Sequence, residues 1–292
     1  MSPVARQYRL ENLVPALFVF LWSTGFIGSK MGMPYIEPFT FLLVRFLLVI
    51  VVMVPFSLAS RAPWPRDWVQ IGHIAMVGIL MHGFYLGGVF ASIAAGLPAG
   101  ISALVTGLQP LLTAFLAVFM LSERVRLRQW IGLVLGFVGV TMVVAEKINF
   151  GMPIWEGLPW AIGAVFGISI ATLYQKKYCG SVDLRTGTVI QFAAASVPMA
   201  ILSFGIESRA ITWSWDLIIA MAWLVLVMSV GAVSLLMHLI RLGAATKLGS
   251  LFYLVPPTTA FIAYLMFGET LAVLALFGVA VTAFGVALAT RG

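Results

Sequence analysis

The chain carries one of its segments twice. Residues 99–144 align without a gap onto residues 245–290, an offset of 146 positions. Twelve of these 46 positions are identical, among them Leu108/Leu254, Pro110/Pro256, Thr113/Thr259, Glu123/Glu269, Gly132/Gly278 and Gly139/Gly285. Shared hydrophobicity alone does not repeat proline, glutamate and glycine in register. A fold with this pattern must be built from two similar halves, one from each copy.

Those halves belong in a bilayer. The chain is 62% hydrophobic and 9% charged, whereas a soluble domain is usually about one quarter charged. Backbone groups in lipid must be satisfied internally, which leaves helix bundles and closed barrels. Barrel strands alternate polar and apolar residues. The apolar runs here are continuous and near the roughly 20 residues a spanning helix needs. The expected fold is an all-α integral membrane protein of ten transmembrane helices, at about 12–31, 36–59, 68–93, 97–121, 127–145, 155–177, 185–206, 214–240, 246–267 and 271–290. The halves divide as 1–148 and 149–292. Arg6 and Arg9 precede the first run, but no clean cleavage site follows it, so an uncleaved first helix is expected rather than a signal peptide.

Lys and Arg set the orientation. With the N-terminus cytoplasmic, 13 of the 17 fall in inside connections, and only Lys30, Lys147 and Arg209 fall outside; Arg45 lies within a span. This follows the positive-inside rule, with both termini cytoplasmic. The net charge of +7 is then a sidedness signal and not a nucleic-acid footprint. Five spans per half is an odd number, so the second half enters the membrane inverted. Inverted repeats place a substrate site near the midplane, where they meet.

Several residues are candidates for that site. Gln109-Pro110 and Ser250, Tyr253 and Pro256 lie at corresponding proline breaks, and a broken helix is tolerated at depth only where it is buried or faces a cavity. Trp22 and Ser23 in span 1 and Phe166 and Ser169 in span 6 occupy corresponding regions. His82 lies deep in span 3 with Tyr85 one turn on, on the same face. Each has a plainer alternative: a helix-packing kink, a core aromatic, a histidine bonded to a carbonyl. Arg45 is open between a structural anchor and a functional charge, since ionisable groups at depth are costly and usually paired. Glu123 and Glu269 open links into the next helix, where an acid favours the helix N-terminus; a structural or gating role is expected. Gly83/Gly87, Gly132/Gly136 and Gly163/Gly167 permit close helix approach, within the bundle or at a dimer face.

The opening Trp22-Ser23-Thr24-Gly25-Phe26 with Lys30, Pro38 and Arg45-Phe46 resembles the EamA-type members of the drug/metabolite transporter superfamily. So does Pro110-Leu111-Leu112-Thr113-Ala114 followed by Glu123-Arg124, Gln129-Trp130-Ile131-Gly132 and Gly136-x-x-Gly139-Val140, with the second copy from Pro256 to Val286. The resemblance covers nearly the whole chain. It implies a ten-helix carrier of two inverted five-helix repeats in the bacterial inner membrane. Helices 1–4 and 6–9 would surround a central cavity, with helices 5 and 10 peripheral. Within the superfamily the chain is most similar to the YddG-like aromatic amino-acid exporters.

The functional expectation is a secondary transporter exporting small zwitterionic or neutral metabolites, amino acids above all. No Asp or Glu lies mid-span, so facilitated diffusion stands beside a proton-coupled drug or metabolite exporter. No phosphate-binding loop, H-E-x-x-H or G-x-S-x-G occurs, which argues against an ATP-driven pump and a membrane enzyme. A channel is the remaining class. No cofactor and no metal site is expected; with one cysteine, Cys179, neither a disulfide nor a cysteine metal site can form. The expected partners are a small-molecule substrate and the bilayer, the chain being a monomer or weak homodimer.

Overall fold

A computed structural model describes residues 3–121, 127–149, 154–180, 182–232, 254–269 and 273–290. Among the described residues the chain forms ten helical elements: α1 Pro3–Gly32, α2 Pro38–Ala59, α3 Trp68–Ala94, α4 (Ala99–Thr106, then Gln109–Leu121), α5 Leu127–Asn149, α6 Ile154–Tyr178, α7 Leu184–Ile206, α8 (Trp215–Ala222, then Trp223–Ala232), α9 Val255–Phe267 and α10 Val273–Thr290. The extended pairing seen among these residues is an isolated bridge between Ile36 and Ile211. Five helices, α2, α3, α4, α6 and α7, are each long and apolar enough to cross a bilayer.

Local signals start the helices where the sequence places them. Pro38 begins α2, where its missing N–H costs no hydrogen bond. The Asp67 carboxylate caps α3 through Val69 N and Gln70 N, Asp183 caps α7 through Arg185 N, and Ser214 caps α8 through Leu217 N. The Arg185 guanidinium, 2.7 Å from Asp183, holds that carboxyl below the usual carboxylate range. Trp68, Trp155, Trp213 and Trp215 are all exposed near helix ends, as an interfacial aromatic belt requires.

The two halves meet around a pseudo-two-fold axis, and residue pairs 146 positions apart expose it. Gly139 of α5 abuts Gly278 of α10, and Gly285 of α10 abuts Gly132 of α5. Phe46 of α2 packs on its own counterpart, Phe192 of α7, with ring centroids 5.1 Å apart. The repeats are inverted: α4 begins, at Ala99, at the same end of the bundle where its counterpart α9 finishes beside Glu269. The glycines of α5 serve this internal crossing, Gly136 lying against Leu111.

Two features differ from the sequence expectation. The break in α4 falls at Gly107–Leu108, two residues before Pro110, because a proline is tolerated within the first turn of the helix that restarts and not in the interior of the one that ends. The other is a pair of π-helical segments, Ile79–Leu86 in α3 and Trp223–Ala232 in α8, which nothing in the hydrophobic pattern marks. They occupy corresponding regions of the two repeats.

Cys179, in the link between α6 and α7, is buried beside Ile74 and Val77, and burial pushes its thiol up. The thiolate is the reactive form. Maleimide labelling of the native protein at neutral pH is therefore expected to be about tenfold or more slower than after denaturation. Equal rates, followed by mass spectrometry, would contradict this packing.

Candidate functional site

The break in α4 lies against the start of α9. A Cβ on Gly107, in the break of α4, would stand 2.9 Å from the ring of Pro256, at the start of α9. The α4 break and the α9 start are each held by a serine from the opposite half. Ser23 Oγ donates to Val255 O at 3.3 Å and to Val19 O at 2.8 Å. Ser169 Oγ donates to Gln109 O at 3.4 Å. Both pairs, Ser23/Ser169 and Gln109/Val255, are 146 positions apart. Gln109 also donates through Nε2 to Thr172 Oγ1 at 3.1 Å, and Thr259 Oγ1 donates to Ser23 O at 3.5 Å. Both serines are fully buried, and their hydroxyls are directed at protein carbonyls. In this conformation they brace the α4 break and the α9 start.

The other candidates separate. Trp22 is half-buried against the main core, its ring 5.5 Å from Phe18. Phe166 lies on an exposed stripe of α6 with Ile162 and Gly163, whereas Ser169, one turn on, is fully buried. Pro110 follows the break in α4, and Pro256 stands in the first turn of α9. Ser250, Tyr253 and Glu123 lie outside the described residues.

A second polar cluster forms where α2 and α7 cross the π segments. His82 stacks on Phe192, centroids 4.1 Å apart at 14°, and its Nε2 lies 3.3 Å from Gln191 Oε1. Tyr85, in the same segment, is buried. On the opposite side Arg45 Nη2 donates to Leu224 O at 3.4 Å. That carbonyl belongs to the α8 π segment and also accepts from Ser229 Oγ at 3.1 Å. The register explains the likeness. Arg45 and Gln191 are 146 apart, and so are Gly78 and Leu224. Leu224 O meets Arg45, while a Cβ on Gly78 would overlap the backbone of Gln191. Each half thus sends one polar side chain from α2 or α7 into the π segment of the other. Sequence reasoning passed over Gln191 and Leu224; carrying the 146-residue offset beyond the strongly matching copies to Arg45 was the signal that would have found Gln191.

One end of the bundle is closed by charge. Lys30 Nζ pairs with Glu269, and the same carboxylate accepts from Ala99 N at 3.1 Å and Gly100 N at 3.4 Å. Glu269 therefore caps the start of α4, just after Gly268 ends α9 in the left-handed conformation at φ 67°. Lys30 also lies 4.7 Å from the centre of the Phe267 ring. No group of three His, Cys, Asp or Glu able to hold a metal occurs among the described residues.

Comparison with known proteins agrees with this architecture. The model of the EamA-like transporter family matches twice, over residues 11–145 and 155–291. The chain is 28% identical over 262 residues to an uncharacterized transporter, YvbV, of Bacillus subtilis, covering 84% of this chain and 79% of that protein. It is 26% identical over 297 residues to the uncharacterized inner membrane transporter YedA of Escherichia coli K12, covering 97% and 93%. A probable amino-acid metabolite efflux pump of Salmonella typhimurium is 25% identical over 169 residues, covering 58% of this chain and 54% of that one. One solved crystal structure superposes with a TM-score of 0.65 over 96% of both chains at 18% identity, a likeness of fold.

Proposed function

The chain belongs to the EamA-like transporter family, and from that premise we propose that this multi-pass membrane transporter is a secondary carrier of small zwitterionic or neutral metabolites, amino acids including aromatic ones foremost. Its two repeats, 1–148 and 149–292, rock about the seam between them and expose the site alternately. The observation that carries this reading is the break in α4 lying against the start of α9, each braced by a serine of the other repeat. A helix broken at the repeat interface is where inverted-repeat carriers place their substrate.

His82, Tyr85, Gln191 and the Phe46/Phe192 pair supply an aromatic and hydrogen-bonding lining suited to an amino acid. The likeness to a protein named as a probable amino-acid metabolite efflux pump supports that substrate class. The charge distribution supports cytoplasmic termini. The carrier works as a monomer or weak homodimer, since the α5 glycines are already used within the bundle. Because no carboxylate lies mid-span, the carrier is facilitative.

Proteoliposomes loaded with unlabelled phenylalanine are expected to accumulate labelled phenylalanine transiently without a pH gradient. Strict dependence on an imposed gradient would instead indicate proton coupling. Flux that neither saturates nor shows counterflow would indicate a channel.

A further inference from the structure

Among the described residues Arg45 is a charge without a counterion. It lies in the body of α2, 5% exposed, and among the described residues its only hydrogen bond is the 3.4 Å contact from Nη2 to Leu224 O. Its Nε–H has no partner and no solvent. All ten Asp and Glu of the chain lie at or near span ends, so the sequence offers no carboxylate at this depth. A buried cation in a membrane is costly and is kept where it pairs with something. Here the protein supplies one carbonyl, which must also serve Ser229.

The surroundings are those of a ligand contact. Phe46, next to Arg45 in α2, has its ring 6.2 Å from His82, and Phe46, Tyr85 and Leu224 belong to one core, so Arg45 lies where α2, α3 and α8 meet. The Leu224 carbonyl, in the π segment of α8, takes Nη2, and the Nε–H beside it is left without a protein partner. Guanidinium edges match a carboxylate in shape and charge, and such charge-assisted bonds are about twice as strong as neutral ones. The repeat-related position carries the neutral Gln191, already engaged with His82. The pseudo-symmetric site is therefore charged on one side only.

We propose that Arg45 binds the carboxylate of the transported substrate through its unpaired Nε–H, and that the Arg45/Gln191 asymmetry fixes a single orientation for that substrate in an otherwise two-fold site. This rests on the carrier reading above and narrows it: the substrate bears a carboxylate, and amides and decarboxylated amines of the same side chain are poor substitutes. Arg45 is then the residue that selects for acids, while the aromatic pair accommodates the side chain.

The experiment has two arms on the purified full-length protein. In the first, thermal shifts are measured in detergent with phenylalanine, leucine, phenylpropionate, benzoate, and the amides phenylalaninamide and leucinamide. Wild type is expected to be stabilised by carboxylates and not by amides, and Arg45→Gln to lose that preference. Arg45→Lys keeps the charge without the planar edge and should retain a weakened preference; it also serves if Arg45→Gln fails to fold. In the second arm, phenylalanine counterflow by Arg45→Gln is expected to need about tenfold or more substrate for half-maximal rate, with competition by the amide unchanged. Absence of carboxylate-selective stabilisation in wild type overturns the assignment whatever the transport result. So does a folded Arg45→Gln that still prefers acids. Wild type that is stabilised by carboxylates yet gives no phenylalanine counterflow overturns the aromatic amino-acid reading and leaves the Arg45 assignment standing.

Discussion

Gly139→Leu is expected to yield almost no correctly folded carrier. A Cβ at 139 overlaps Thr282 Oγ1 and stands 2.6 Å from Thr282 N, and the Gly278 carbonyl blocks the same space. Two of these three obstacles are backbone, which cannot rotate away as a flexible side chain can. Overpacking a yielding core costs about 1–3 kcal/mol; separating two helix backbones should exceed the upper end. At about 2–4 °C per kcal/mol for a chain approaching this size, the melting temperature should fall by some 6–12 °C or more. Gly163→Leu is the control. Its Cβ meets nothing within 4 Å, and leucine favours helix over glycine by several tenths of a kcal/mol or more. That variant should elute and melt like wild type. Size-exclusion profiles and melting curves after solubilisation decide the matter: equal behaviour of the two variants would refute the α5–α10 crossing. Because Gly285 meets Gly132 and Gly136 in the mirrored arrangement, Gly285→Leu should fail as Gly139→Leu does.

This crossing was only half legible in the sequence. The recurrence of Gly132 as Gly278 and of Gly139 as Gly285 marked the positions, but a glycine pair on an apolar helix suits an internal contact or a dimer equally well. Which face it meets depends on how the whole bundle closes. The spans were legible because a bilayer imposes length and continuous hydrophobicity, and the breaks because proline cannot donate to a helix. Ser23 and Ser169 stand in matching places of the two copies, and the structure brings Ser23 to the start of α9 and Ser169 to the break in α4. The π segments were not legible. A π turn needs one extra residue accommodated within a helix, a choice set by packing against α2 and α7 that leaves the apolar run unchanged. Hence Leu224, whose carbonyl does the work while its side chain reads as core, could not be seen, and the role of Arg45 stayed open. Local sequence places Glu269 ahead of α10; its hydrogen bond to Gly100 N of α4, 169 residues away in the chain, depends on how the whole bundle closes.

Glu269→Ala is expected to be far more damaging than Lys30→Ala, although the two residues form one ion pair. Lys30 is 29% exposed and pairs with a single carboxylate, so its loss resembles that of a partly exposed surface pair, about 0–1 kcal/mol. Glu269 is 13% exposed and also accepts the first N–H groups of α4. Removing it leaves two amides at a helix start without an acceptor, and each such group costs about 1–3 kcal/mol when buried. Partial exposure lowers the sum, and about 2–4 kcal/mol is expected from the melting temperature. Glu269→Gln should fall between, because an amide oxygen still accepts a hydrogen bond but has lost the charge that the helix N-terminus favours. The charge-swapped double variant Lys30→Glu/Glu269→Lys separates the two roles. It restores an ion pair between the same positions, yet an ammonium cannot accept from Ala99 N or Gly100 N. If the carboxylate matters mainly as a cap, the swap will be no more stable than Glu269→Ala and will transport no better in counterflow. Recovery to wild-type stability by the swap would instead make the ion pair the essential contact and the cap incidental.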